Sequence, residues 1–193
     1  MIQITEKPDW VSWDNIKQCL YEAHASNRAK GIIMRKPSLP VEVIKEEIGK
    51  DGVMLVAIDD NMVVGTAALI PKSGSFWFYK GYYGYMCFAS VLPDYRRKGI
   101  YKGLCAERER MAANKGMGGL YIDTHHMNKD LIGICQRNGF ERVGVKRCKD
   151  HWNVVLFKWL DRCPHAPFIC WTHYVIQLAI CRLHLYKLKT IFR

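Results

Sequence analysis

The stretch Val91-Leu92-Pro93-Asp94-Tyr95-Arg96-Arg97-Lys98-Gly99-Ile100-Tyr101-Lys102-Gly103 concentrates more usable chemistry than any other part of the chain. An apolar run stops at Pro93, a basic turn with one glycine follows, and Ile100, Leu104 and Met111 then recur at helical spacing. The first turn of a helix presents backbone N–H groups that have no intrahelical partner, at the positive end of the helix dipole. Here that turn also carries Arg96, Arg97, Lys98 and Lys102. The combination suits an anionic phosphate group.

Side chains able to move protons lie elsewhere. Between Asn61 and Pro93 there is no Asp, Glu or His. A general base therefore has to come from Glu22 or His24, from Asp123, His125 or His126, or from water. His125 has the right type for proton transfer near neutral pH, the alternative being a hydrogen-bonded loop histidine. Cys170 with His173, and Cys181 with His184, look like halves of a zinc site. On one helix, eleven residues separate the pairs by about 16 Å, so no single metal reaches both and no metal is expected.

The elements that must position the loop follow from periodicity and breakers. A short strand at Ile2 to Thr5 precedes a helix of about four turns, with Ser12 as cap, Trp13, Ile16, Leu20 and Ala23 on one face, and a stop near Asn27 to Gly31. A second helix starts near Pro40 and stops at Gly49. Val53 to Ile58 and Met62 to Ile70 form a hairpin about Asp59-Asp60-Asn61, and Pro71 to Ser75 is expected to make the next turn. One or two aromatic strands then lead into Val91. Beyond the loop come a helix from Ile100 to about Lys115, a strand at Leu120 to Thr124, a helix at Asn128 to Asn138, and strands at Glu141 to Arg147 and Trp152 to Leu160. The order is that of an α/β (α+β) fold, a mixed sheet with helices on both faces and its phosphate loop after a central strand.

Bulk properties narrow the function. At 193 residues and +11 formal charge, the chain is a soluble-type globule with one main domain and an anionic partner: a nucleotide-type cofactor, nucleic acid or an anionic membrane surface. Its eight cysteines contain no CxxC pair and follow no secretory signal, so reduced thiols and a cytoplasmic location are expected.

With these elements in place the sequence resembles the GNAT superfamily of acyl-CoA-dependent N-acetyltransferases over residues 1–160. The resemblance rests on Val91-x-Pro93-x-Tyr95-Arg96-Arg97-Lys98-Gly99-Ile100, with Tyr101 where the family has a small residue. It also rests on Ile122-Asp123-Thr124-His125 with Asn128, and on Gln136-Arg137-Asn138-Gly139-Phe140; a weaker match lies at Ala23-His24, Asn27 and Gly31. The resemblance implies a mostly antiparallel central sheet and acetyl-CoA as co-substrate. Val91 would face the thioester, and Arg96, Arg97, Lys98, Gly99, Ile100, Tyr101 and Lys102 would hold the pyrophosphate. Asn128 would contact the pantetheine arm, the alternative being that it only caps the following helix. His125 is the candidate base and Cys135, at the position where many relatives have a Tyr, the candidate acid, each with a purely structural alternative.

The implied reaction is acetyl transfer to a primary amine, a small molecule or peptide, by direct attack in a ternary complex. Other readings are a non-catalytic CoA-binding module and a basic nucleic-acid or membrane-surface binder. With the first reading go no nucleic acid, no stable membrane insertion and a homodimer as the form of self-association. Residues 161–193 are an apolar and basic helical extension that docks, self-associates or lies at an interface.

Overall fold

Ser12 caps the first helix as its neighbours require. In the computed structural model its Oγ accepts the Asn15 amide at 3.1 Å while Asn15 Oδ1 accepts the Ser12 amide at 3.2 Å, a reciprocal capping box. The structure describes residues 1–32, 36–76, 79–148, 151–160, 171–172 and 174–179, with the backbone alone at 75–76 and 79–80. The chain forms two compact units, Met1–Leu120 and Tyr121–Arg193.

The first unit contains β1 (Gln3–Glu6), α1 (Trp13–Ala23), α2 (Ala25–Ala29), α3 (Val41–Ile48), β2 (Val53–Asp59), β3 (Met62–Phe76), β4 (Tyr79–Val91) and α4 (Ile100–Asn114). Strands β1 to β4 are consecutive antiparallel neighbours. Asp59 pairs with Met62, and Asp60 and Asn61 between them have φ of 45° and 65°. Two left-handed residues give the mirror-image turn whose twist matches a hairpin.

Two expectations need correction. Pro71 to Ser75 is not a turn, because β3 runs on to Phe76 with Pro71 opposite Gly84. The last β2 partner of β3 is at Leu69, so Pro71 lies where β3 has become an edge and its missing N–H costs nothing on that side. The four-turn helix is broken at His24, which caps the end of α1 and the start of α2 with φ −98° and ψ 8°.

Helices cover both faces of this sheet. Ile16, Cys19 and Leu20 of α1 and Ile44 and Ile48 of α3 pack on Met54, Val56, Ile58, Ala68, Ile70, Cys87 and Phe88. The alternate positions face α4. A Cβ built on Gly65 would lie 3.2 Å from Ile100 Cγ2 and 3.4 Å from the Ala57 Cβ, and one on Gly103 would lie 2.5 Å from Ile4 Cδ1. Deleting a fully buried Leu or Ile from such a core costs about 2–5 kcal/mol.

The second unit contains most of β5 (Gly119–His125), α5 (Lys129–Arg137), β6 (Glu141–Arg147) and β7 (Trp152–Trp159). β6 and β7 pair antiparallel, with a register shift between Arg142 and Gly144, and the turn closes through Cys148 N–H to His151 O at 2.9 Å. Val143, Val145, Val154, Val155, Leu156 and Phe157 of this pair are all buried, so consecutive residues of β7 are covered whichever face they take. The fold is thus mixed α/β with mostly antiparallel strands. Of 161–193 only 171–172 and 174–179 are described, and they are helical. Cys170, His173, Cys181 and His184 lie outside the described residues. Among the described residues no helix is long and apolar enough to cross a membrane.

Candidate active site

The basic loop owes its shape to backbone conformations that its sequence only half announces. After β4 the chain makes a short 3-10 turn at Pro93–Tyr95, and Arg96 is extended. Arg97 and Gly99 are left-handed, with φ of 64° and 81°. Gly99 is the N-cap of α4 and uses no side chain to satisfy the helix. The first helical bond runs from the Gly103 amide to Gly99 O at 3.0 Å, so the helix itself does not employ the amides of its opening turn. Arg96, Arg97, Lys98, Gly99 and Lys102 are exposed, and a Cβ added at Gly99 meets nothing within 4 Å. A cradle of this kind, open above its glycine and rimmed by cations, fits a pyrophosphate. Ile100 is buried beneath it and Tyr101 is half-buried.

Two straps hold the loop. Arg96 donates from Nη2 to Ala23 O at 2.5 Å and from Nε to Val91 O at 3.3 Å, tying the loop to the end of α1 and to the end of β4. The Tyr95 hydroxyl bonds to Asp59 in the β2–β3 turn, and its pKa is raised, by desolvation first and by the Asp59 carboxylate next. Beside the loop, Asn15, Gln18, Glu22, Asp60, Asn61 and Leu92 border a cavity of about 240 Å³ between α1 and that turn.

The strand that leads into the loop is bulged. Thr66 pairs with Ser90 but Ala68 pairs with Cys87, so two residues of β4, Phe88 and Ala89, stand opposite one of β3. Phe88 has φ 50°, a conformation that an aromatic residue adopts only when its surroundings impose it. The support is visible. Thr66 Oγ1 donates to Phe88 O at 2.8 Å and lies 2.7 Å from Ser90 Oγ, which is 3.5 Å from Cys19 Sγ. Burial pushes the Cys19 thiol up to about 11, so it stays neutral in this network. His24 Nε2 lies 3.2 Å from Ala89 O, and its Nδ1 lies 3.1 Å from Asn27 Nδ2. With the Asn27 amide donating to Nδ1, the His24 proton sits on Nε2 and points at the bulge. Its pKa is lowered, chiefly by burial.

The second unit carries the remaining expected site residues. Asn128 is 7 % exposed and stands at the N-cap position of α5 without a side-chain cap bond. Its Nδ2 donates instead to Thr124 Oγ1 at 3.1 Å. His125 is 4 % exposed and stacks on His126 at 4.6 Å and on His151 at 4.3 Å, while His126 stacks on Trp152 at 3.9 Å. His125 Nδ1 accepts the Met127 amide at 3.1 Å, leaving the proton on Nε2. Desolvation first, then the His151 and His126 rings, lower its pKa to about 4. Cys135 is buried within α5. The structure thus ties Val91, at the end of β4, to the loop that carries Arg96 to Gly99 into the first turn of α4 with Ile100, Tyr101 and Lys102, and sets His125 beside Asn128. Among the described residues no group of three or more His, Cys, Asp or Glu could hold a metal ion.

A bulged antiparallel strand thus feeds a basic, left-handed loop at a helix N-terminus within a mixed α/β fold. The family model for the acetyltransferase (GNAT) family matches residues 14–140, and the chain belongs to that family of acyltransferases. No curated protein matches it in sequence. Among solved structures, a GNAT family acetyltransferase from Staphylococcus aureus superposes with a TM-score of 0.65 at 19% identity, over 83% of this chain and 100% of that one. A GNAT family acetyltransferase from Elizabethkingia anophelis, with acetyl-CoA bound, gives 0.58 at 17%, over 82% and 98%. The PaiA N-acetyltransferase from Thermoplasma acidophilum, in complex with coenzyme A, gives 0.61 at 18%, over 82% and 99%. At these identities the likeness is one of fold.

The sequence did not signal the Phe88 bulge, the Arg96 strap or the His151 and Trp152 ends of the ring stack. Each depends on strand register or on a contact far along the chain, and only the adjacent pair His125-His126 hinted at the stack.

Proposed function

We propose that this chain transfers an acetyl group from acetyl-CoA to a primary amine by direct attack within a ternary complex. One observation supports this above the others: the open, cation-rimmed cradle at Arg97 and Gly99 directly follows a strand bulged at Phe88. Bound acetyl-CoA would supply an activated thioester, with its pyrophosphate on the amides of Arg97 to Lys102 and its pantetheine arm reached by Asn128. The amine nitrogen attacks the thioester carbon, the carbon–sulfur bond breaks, and the sulfur leaves with a proton while the amine loses one. Strand amides near Val91 would stabilise the developing oxyanion, and holding both reactants would supply much of the remaining acceleration.

His125 enters as the proposed base and Cys135 as the proposed acid. With its proton on Nε2, His125 can take up a second proton only at Nδ1, once that atom gives up the Met127 amide, and a pKa of about 4 makes it a weak base at neutral pH. A second candidate base is His24, whose Nε2 donates to Ala89 O on the same strand as Val91 and whose Nδ1 can take up a proton once it gives up the Asn27 amide. His24→Gln and His125→Gln separate the two, because the true base loses a large factor in kcat and the other variant does not.

The overall reading is tested by titrating the protein with acetyl-CoA and following free thiol release across a panel of amines. Saturation at a hundred times Kd should add about 2.7 kcal/mol to stability. Failure to bind any CoA species would overturn the reading. Binding with no turnover on any amine would favour the non-catalytic CoA-binding module instead. The expected amine acceptor, homodimer and cytoplasmic location stay part of this proposal.

A further inference from the structure

The helical residues 171–172 and 174–179 turn the wrong side outward for a soluble surface. Tyr174, Gln177 and Leu178 are the half-buried side, and the Arg142 guanidinium of β6 lies 5.8 Å from the Tyr174 ring centroid. Trp171, Val175 and Ile176 are 63 %, 43 % and 59 % exposed, and with exposed Ala179 and half-buried Thr172 between them they make an uncharged face at helical spacing. An exposed Trp and Ile on one helix face call for a cover.

Charge selects that cover. From Arg162 to Arg193 the sequence has no Asp or Glu, and Arg182, Lys187, Lys189 and Arg193 follow the apolar face among Leu183, Leu185, Leu188, Ile191 and Phe192. A second copy would bring two such basic segments together, on chains that each carry +11. An anionic bilayer would instead take the apolar side chains at its headgroup boundary and neutralise the cations. We propose that the Trp171–Val175–Ile176 face, with the basic sequence after it, adsorbs to an anionic phospholipid surface. Adsorption of this kind is interfacial and needs no crossing helix.

The test is co-sedimentation of the full chain with vesicles of phosphatidylcholine alone, or of phosphatidylcholine mixed with phosphatidylglycerol. The expected result is binding to the mixed vesicles that weakens steeply with salt, and at least about tenfold weaker binding to the neutral ones. Trp171→Ser/Ile176→Ser removes two large exposed apolar groups and should weaken binding about tenfold or more, with the far-UV spectrum unchanged. Lys187→Glu/Lys189→Glu gives an independent arm and should abolish the preference for anionic lipid. The proposal falls if the chain stays in the supernatant with mixed vesicles at low salt, or if both variants bind as the parent does. It also falls if the chain dimerises with concentration and the Trp171→Ser/Ile176→Ser variant does not.

Discussion

Acidification should cost this fold a specific amount of stability through His125. In the unfolded chain an imidazole titrates near 6.5, whereas in the folded chain His125 titrates near 4, because it is desolvated and faces the rings of His151 and His126. Above pH 6.5 both states hold it neutral, and it contributes no pH dependence. Between pH 6.5 and 4 the unfolded chain takes up a proton that the folded chain refuses, so stability falls as pH falls. Linkage puts the loss at about 2 kcal/mol by pH 5 and about 3 kcal/mol by pH 4, levelling off at about 3.4 kcal/mol below pH 3. Urea unfolding of the parent and of His125→Asn at pH 7.5 and pH 5.0 isolates this from the carboxylates, which both proteins share. The parent should lose about 2 kcal/mol more than the variant between the two pH values. An equal loss in both proteins, or an NMR titration placing His125 near 6.5, would refute the reasoning.

Other outcomes follow from close contacts. Gly84→Ala would set a Cβ 2.6 Å from Leu69 Cδ1 and 2.7 Å from Leu120 Cδ2, and should cost about 1–3 kcal/mol in a thermal or urea melt. Gly103→Ala meets Ile4 Cδ1 at 2.5 Å; adding Ile4→Val, which removes that methyl, should recover part of the lost melting temperature. Thr66→Val withdraws the donor to Phe88 O and should cost about 1–3 kcal/mol, because it leaves a buried carbonyl without that bond. Gly99→Val should abolish stabilisation by acetyl-CoA by filling the open side of the cradle, and unchanged affinity would show that the loop is misassigned.

Features set by local chemistry were legible in the sequence. Pro40 and Gly49 mark the ends of α3 because one lacks an N–H and the other reaches φ 65° without strain. Asp60-Asn61 fixes the β2–β3 turn for a related reason. The basic turn before α4 was legible as a whole, since basic types, one glycine and the onset of helical period coincide within a few residues. Features set by distant partners were not. Pro71 read as a turn because nothing local says that β2 has already ended beside it. Periodicity carried the first helix past His24 to a stop near Asn27 to Gly31, because the bond from His24 to Ala89 that goes with the break spans the chain from the first helix to the fourth strand. Which imidazole meets the amine likewise depends on packing that no spacing reveals.

The Arg96 strap has a consequence for how this chain can drift. The guanidinium grips the carbonyl oxygen of Ala23, an atom that every amino acid possesses, so exchanges of side chain between Tyr21 and Arg28 leave the grip intact. Insertion or deletion of one residue in α1 is another matter, because it slides the carbonyl by about 1.5 Å and swings it about 100° around the helix axis. Natural variation in this segment should therefore hold its length fixed, whatever else it changes.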